Sequence, residues 1–346
     1  MKNEPQRNYF DILQVFRGIA ALMVVCHHTI GSMRLYHKIE FPFFNYIAVI
    51  GKFGVDFFFV LSGFIISYTA YHKYNDQNSF RNYIKNRLTR IYVPYLPIGI
   101  LMLVLYSCFP HFSNSDRDIS VLTSLTLIPD GNPALSVAWT LTFELCFYLL
   151  FGISFLSRKG WNYFLFLWFA VIITFNYTAL ESLQLNKNPL LKIILSPYNI
   201  EFILGYCLAL LTIRKKIFNL KLVFITLTIS IASFIYCILS NYSIFYFSIN
   251  FLFAITVFLI IYIGIVYYPK KISQLSIMML IGNATYSVYL IHNPLQMLLI
   301  RVYPEINSSI SFIVALISVL IITSLLGYLY YLLFERKAIQ SIKAII

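Results

Sequence analysis

Residues 11–32 read DILQVFRGIAALMVVCHHTIGS. The stretch is mostly apolar and long enough to cross a bilayer as one helix, which takes about 20 residues. It also holds Arg17, His27 and His28. An ionisable side chain at bilayer depth costs a few kcal/mol, so each requires polar company. Arg17 and His28 stand eleven positions apart, a separation that returns to within about 20° around a helix and spans about 16 Å along it. They therefore share a face, and His27 falls off that register. The bland alternative is an arginine snorkelling to the interface and a histidine packed in the core.

The rest of the chain has the same character. Of 346 residues 60% are hydrophobic and 11% charged, against about 25% charged in an ordinary soluble domain. The 32 Phe and 27 Tyr add to the excess, and Tyr collects at membrane interfaces. So little charge cannot cover a soluble surface, and the bilayer is the solvent this composition fits. The net charge of +13 then reads as topogenic, with some basic residues free to meet anionic lipid or an anionic cosubstrate, and no nucleic-acid binding is expected. The five cysteines stand singly in apolar runs, without metal spacing, and no metal site is expected. With Arg17 inside its apolar run and no small-residue cleavage site, the N-terminus reads as a retained first helix.

Ten apolar segments follow from a scan of the chain, at about 11–32, 47–71, 92–110, 137–157, 161–178, 198–213, 220–240, 244–268, 277–300 and 310–334. The expected fold is all-α, a polytopic transmembrane bundle forming a single domain over residues 1–346, with no soluble domain. With both termini on the cytoplasmic side, the inner loops carry 18 Lys and Arg and the outer loops 7. That asymmetry satisfies the positive-inside bias.

Other polar residues fall at one depth in this topology. Asp56 opens the second segment in Gly54-Val55-Asp56-Phe57-Phe58-Phe59-Val60-Leu61-Ser62-Gly63-Phe64. It enters from the outer side towards the level of His28, and a carboxylate beside an imidazole orients the ring and raises its basicity. A structural ion pair or a helix-start cap is the competing reading. Glu144, in Trp139-Thr140-Leu141-Thr142-Phe143-Glu144 and ahead of Tyr148, and His292, closing Tyr286-Ser287-Val288-Tyr289-Leu290-Ile291-His292, reach a similar layer from two further segments. Gly54 and Gly63 permit close helix packing. On the inner side Arg87 and Arg90 sit at i, i+3, which suits a phosphate-bearing ligand if the segment is helical, and plain topogenic charge otherwise.

Together these residues resemble the membrane-bound acyltransferase-3 family, which O-acylates bacterial surface polysaccharides and lipopolysaccharide. The resemblance rests on the Arg17/His28 spacing, the 54–64 stretch, the Arg87/Arg90 pair, the Trp139–Tyr148 segment and the run Ile281–His292. It covers about residues 10–338 in family order. Thr140 and Thr285 stand where Ser is usual, and Glu335-Arg336-Lys337 departs by one residue from Glu-Arg-Pro. The lineage carrying an appended extracytoplasmic esterase-like domain is not expected.

The resemblance implies a bacterial inner-membrane enzyme that takes an acyl group, usually acetyl, from cytoplasmic acetyl-CoA. The acceptor would be a hydroxyl of a glycan or lipid-linked glycan. His28, Arg17, Asp56 and Glu144 are then the expected catalytic residues, and Arg87 and Arg90 the expected CoA-phosphate ligands. Ser62, Trp139, Tyr148, Tyr286, Ser287 and His292 are expected to line the substrate path, in a channel joining two faces rather than a compact triad. A transporter or flippase of an acyl group or lipid-linked sugar is the rival, because it too encloses buried charges along a pathway.

Overall fold

The computed structural model describes residues 6–39, 41–71, 77–110, 118–177, 188–240, 246–267, 272 and 276–345. The chain is helical almost throughout, and among the described residues the only β-type pairing is an isolated bridge between Ile119 and Asn132. Among the described residues fifteen α-helices run α1 (Gln6–His37), α2 (Pro42–Lys52), α3 (Gly54–Ala70), α4 (Gln77–Cys108), α5 (Val121–Thr126), α6 (Trp139–Phe151), α7 (Arg158–Tyr177), α8 (Pro189–Ile194) and α9 (Tyr198–Ile213). They continue α10 (Leu220–Leu239), α11 (Tyr246–Tyr267), α12 (Ile277–Asn283), α13 (Thr285–Val302), α14 (Ser309–Tyr330) and α15 (Arg336–Ile345), with a π-helical turn at Tyr331–Glu335.

Seven helical segments among the described residues are long and apolar enough to cross a membrane: Asp11–His37, Pro42–Ala70, Ser79–Cys108, Ser136–Phe155, Leu220–Leu239, Ile249–Tyr267 and Ser309–Ala344. The outward face of α10 exposes Leu222, Phe224, Ile225, Ile229, Ile235 and Leu239. In water such a stripe would be a large uncovered apolar patch. Against lipid tails it costs nothing, so the protein is an integral membrane protein.

Of the ten expected segments, 161–178, 198–213 and 277–300 are not among these seven, and three segments differ in their course. The second, expected over 47–71, is two helices broken at Phe53, whose ring is buried against Phe234 and Phe253 at 5.0 and 5.1 Å. The third, expected over 92–110, is a single helix from Gln77 to Cys108 that runs through Pro94 and Pro97. The ninth changes direction at Ala284, between α12 and α13.

The helices gather into two compact units. The first comprises residues 1–58 and 217–337, the second residues 59–216 and 338–346. In the first unit α1 is the central post, packed against α2, α11, α12, α13 and α14. Ile30, Met33, Phe44, Ile300, Phe312 and Val319 form an apolar plug at one end of it. Glycines set its close approaches. A Cβ at Gly282 of α12 would lie 2.0 Å from the Gln14 carbonyl oxygen, and one at Gly54 would lie 2.6 Å from the Ala20 carbonyl oxygen. In the second unit α3 meets α9 the same way, with a Cβ at Gly63 falling 2.2 Å from the Phe202 carbonyl oxygen. Small residues bring membrane helices into backbone contact where apolar attraction between them is absent.

Candidate active site

In the first unit, His28 projects from α1 half-buried, with the His27 ring 4.9 Å away and the His292 ring of α13 5.2 Å away. Among the described residues no hydrogen bond reaches the His28 ring. His27 is committed elsewhere, its Nδ1 lying 2.8 Å from the Ala48 carbonyl oxygen. His292 is fully buried, with Nδ1 2.5 Å from the Tyr289 carbonyl oxygen and, among the described residues, no partner for Nε2. In a neutral imidazole one nitrogen donates and the other accepts. A carbonyl can only accept, so Nδ1 of His292 carries the hydrogen and Nε2 the lone pair.

The two histidines are held at this spacing by a staple one turn further along α13. Gln296 is buried and donates through Nε2 to the Val25 carbonyl at 2.9 Å and to Thr29 Oγ1 at 2.6 Å. Val25 and Thr29 flank His28 on α1. Nearer the end of the pair, His37 Nε2 lies 3.0 Å from the Ile300 carbonyl, and Arg301 donates to Tyr36 Oη at 2.9 Å. Replacing Gln296 with Leu removes two buried hydrogen bonds, each worth about 0.5–1.5 kcal/mol net. A fall of several degrees in the melting temperature of the detergent-solubilised protein is the expected outcome, and an unchanged melting temperature would show that the staple is slack.

Asp56, in the first turn of α3 and buried, accepts from Asn250 Nδ2 at 2.7 Å. The structure thus gives this carboxylate an amide of α11 as its hydrogen-bonding partner rather than the His28 ring. Arg17 is half-buried and donates through Nη1 to Gln14 Oε1 at 3.1 Å. Ser287 is buried and donates at 2.5 Å to Glu335, a buried carboxylate on the π-helical turn. Tyr286 is also buried.

The second unit holds the remaining polar residues. Glu144 of α6 accepts from Tyr148 Oη one turn on and from Ser62 Oγ at 3.4 Å. The Arg87 guanidinium lies 5.4 Å from the centre of the Tyr148 ring and 5.7 Å from that of Tyr83, and donates to Thr69 Oγ1 at 3.2 Å. A cation over two aromatic faces is held in one orientation. Tyr83 is fixed in turn, its hydroxyl donating to the Tyr148 carbonyl at 3.0 Å. A cavity of about 220 Å³ opens beside Arg87, lined also by Ser79, Asn82, Tyr83 and Asn86. The pair Arg87 and Arg90 is helical, as the shared face requires, but the cavity takes in Arg87 with the two asparagines rather than with Arg90. Trp139 is part-exposed and packs on Phe143 and Tyr198 at 5.8 and 5.6 Å.

Comparison with protein families matches residues 10–332 to the acyltransferase-3 model, described as an acyltransferase domain. The chain belongs to that family. Searches of curated proteins and of solved structures return no match. The protein is accordingly a membrane acyltransferase, and the resemblance read from its motifs holds over nearly their whole extent.

In this acyltransferase the sequence reading passed over the uncharged partners. Asn250 and Gln296 each sit inside an otherwise apolar run, which is itself a signal that a side chain has a polar job. Tyr83 and Thr69, which fix Arg87, carry no such mark, because aromatics and hydroxyls are common at membrane interfaces.

Proposed function

We propose that this acyltransferase moves an acetyl group from cytoplasmic acetyl-CoA to a hydroxyl of a cell-surface glycan or its lipid-linked precursor, in the bacterial inner membrane, with both chain termini cytoplasmic. The observation that carries the reading is His28 itself. It is a part-open imidazole on the helix that packs against five others of its unit, free of hydrogen bonds among the described residues and backed by a second imidazole. Such a group can take a proton from an incoming hydroxyl.

The donor end of the reading rests on Arg87. The cavity beside it offers a guanidinium, two amides and three hydroxyls, with no carboxylate among its described lining residues, which is a donor set that suits phosphate oxygens. Arg90, one turn on, adds a second cation of the same face. Tyr148 and Ser62 hold Glu144, and Asn250 holds Asp56, so each carboxylate is fixed in position within its own unit. Arg17 stabilises the charge that develops on the thioester oxygen. In the reaction the hydroxyl oxygen bonds to the acetyl carbon while its proton passes to His28. The carbon–sulfur bond breaks, and the thiolate leaves with that proton as CoA thiol.

Purified protein given radiolabelled acetyl-CoA and the glycan fraction of the host envelope should release CoA thiol and label the glycan, each only when the other component is present. Transport without chemistry would instead move label across a vesicle membrane with no thiol release, and that result would overturn the proposal. In the same assay Arg87→Lys should raise the KM for acetyl-CoA about tenfold or more with a smaller change in kcat. Lysine keeps the charge and loses the planar fork and the stacking on Tyr83 and Tyr148.

A further inference from the structure

We propose that His292 is a positioning residue for catalysis, acting as the hydrogen-bond acceptor that orients His28 and steadies the imidazolium formed when His28 takes the substrate proton. The inference rests on the reading of His28 as general base. Its own support is the geometry of α13. A base of this kind needs a fixed acceptor on its second ring nitrogen, a part that a carboxylate commonly plays. Within the first unit, Asp56 is engaged by the Asn250 amide. The ring that faces His28 is that of His292, 5.2 Å between centroids and tilted by 49°.

Three features make His292 fit that part. Its Nδ1–H is spent on the Tyr289 carbonyl, which leaves Nε2 as a lone pair. That Nε2 is buried and has no partner among the described residues, and a buried acceptor left unpaired carries a desolvation cost unless something donates to it during function. Finally, Gln296 clamps α13 to α1 on both sides of His28, so the interval between the rings is set by the helices and not by side-chain chance. Catalytic hydrogen bonds often close only in the reacting complex. The step adds no atoms to the reaction: the hydroxyl proton enters one nitrogen of His28, the N–H on the other nitrogen leans on His292 Nε2, and the first proton leaves with the CoA thiol. A neutral acceptor stabilises the transient cation without holding a permanent charge in the bilayer.

The surrounding groups do not supply the same function. His27 on α1 is tied to Ala48, and Lys52 on α2 lies over the Phe53 ring. Tyr289 on α13 contributes its carbonyl to His292.

Two variants of similar volume separate an orienting role from a packing role. His292→Met fills the space with an adaptable apolar side chain and should lower kcat about 100-fold in the acetyl-CoA assay, with both KM values within a few-fold of wild type. His292→Gln restores an acceptor near the position of Nε2 and should recover kcat to within about tenfold. A His292→Met enzyme with near wild-type kcat, or a folded His292→Gln enzyme as slow as the Met variant, would overturn the proposal. Nitrogen NMR of the histidines in the wild-type protein decides it without any variant. The expected signature is a protonated Nδ1 and a bare Nε2 at His292, and the opposite tautomer refutes the idea. His28→Ala reports on the underlying reading: if that enzyme still transfers acetyl groups, the base assignment itself has failed, whatever His292 does.

Discussion

Replacing His28 with Ala is expected to lower glycan acetylation roughly 10²–10⁴-fold, the range lost with a general base, while the protein stays in the membrane at its normal level. The separation of the two effects follows from the site. His28 is half-buried and makes no hydrogen bond among the described residues, so its removal strands no buried partner. Alanine is the best helix former available to replace it. The stability of α1 comes from its five packed neighbours, from the Gln296 staple and from the glycine contacts, none of which uses the imidazole. Thiol release measured beside the quantity of protein in membranes checks both halves, and wild-type turnover in this variant would remove His28 from the mechanism.

The largest structural effect is expected at Gly282. Its α-carbon lies against the backbone of Gln14, where a Cβ would approach the carbonyl oxygen to 2.0 Å and the carbonyl carbon to 2.6 Å. Backbone cannot swing aside as a side-chain tip can, so α12 must retreat from α1. Overpacking of a tight interface costs about 1–3 kcal/mol and more when rigid groups collide, and a β-branched side chain has the fewest rotamers with which to escape. Gly282→Val should therefore lose most of its folded protein, measured as a monodisperse peak after detergent extraction. Gly31, where no described residue outside its own helix backbone and chain neighbours lies within 4 Å of the corresponding Cβ, is the matched control: Gly31→Ala should extract like wild type.

Much of this was legible in the sequence for plain reasons. The first helix announced itself by its apolar length, and the shared face of Arg17 and His28 followed from helical geometry alone. The glycines at 54 and 63 pointed to close packing, and both are in backbone-to-backbone contact. The start of α4 at Gln77, well ahead of the expected residue 92, was hidden by the polar composition of its first turns, and the helix then runs through Pro94 and Pro97. The break at Phe53 was not read, although Gly51 and Gly54 flank it. Tertiary packing of one aromatic ring on Phe234 and Phe253 decides it. Partners were the hardest part to read. A carboxylate in an apolar run advertises its need, but nothing local says that Asp56 answers to Asn250, 194 positions away.

The division of the chain also governs how the protein is made. His28 belongs to α1, whereas His292 and Gln296 are synthesised only after the whole of residues 59–216. Until α12, α13 and α14 insert, the polar face of α1 stands in the bilayer without the groups that satisfy it, at a cost of a few kcal/mol for each ionisable residue. An early-terminated chain therefore carries an exposed polar stripe that a completed chain conceals.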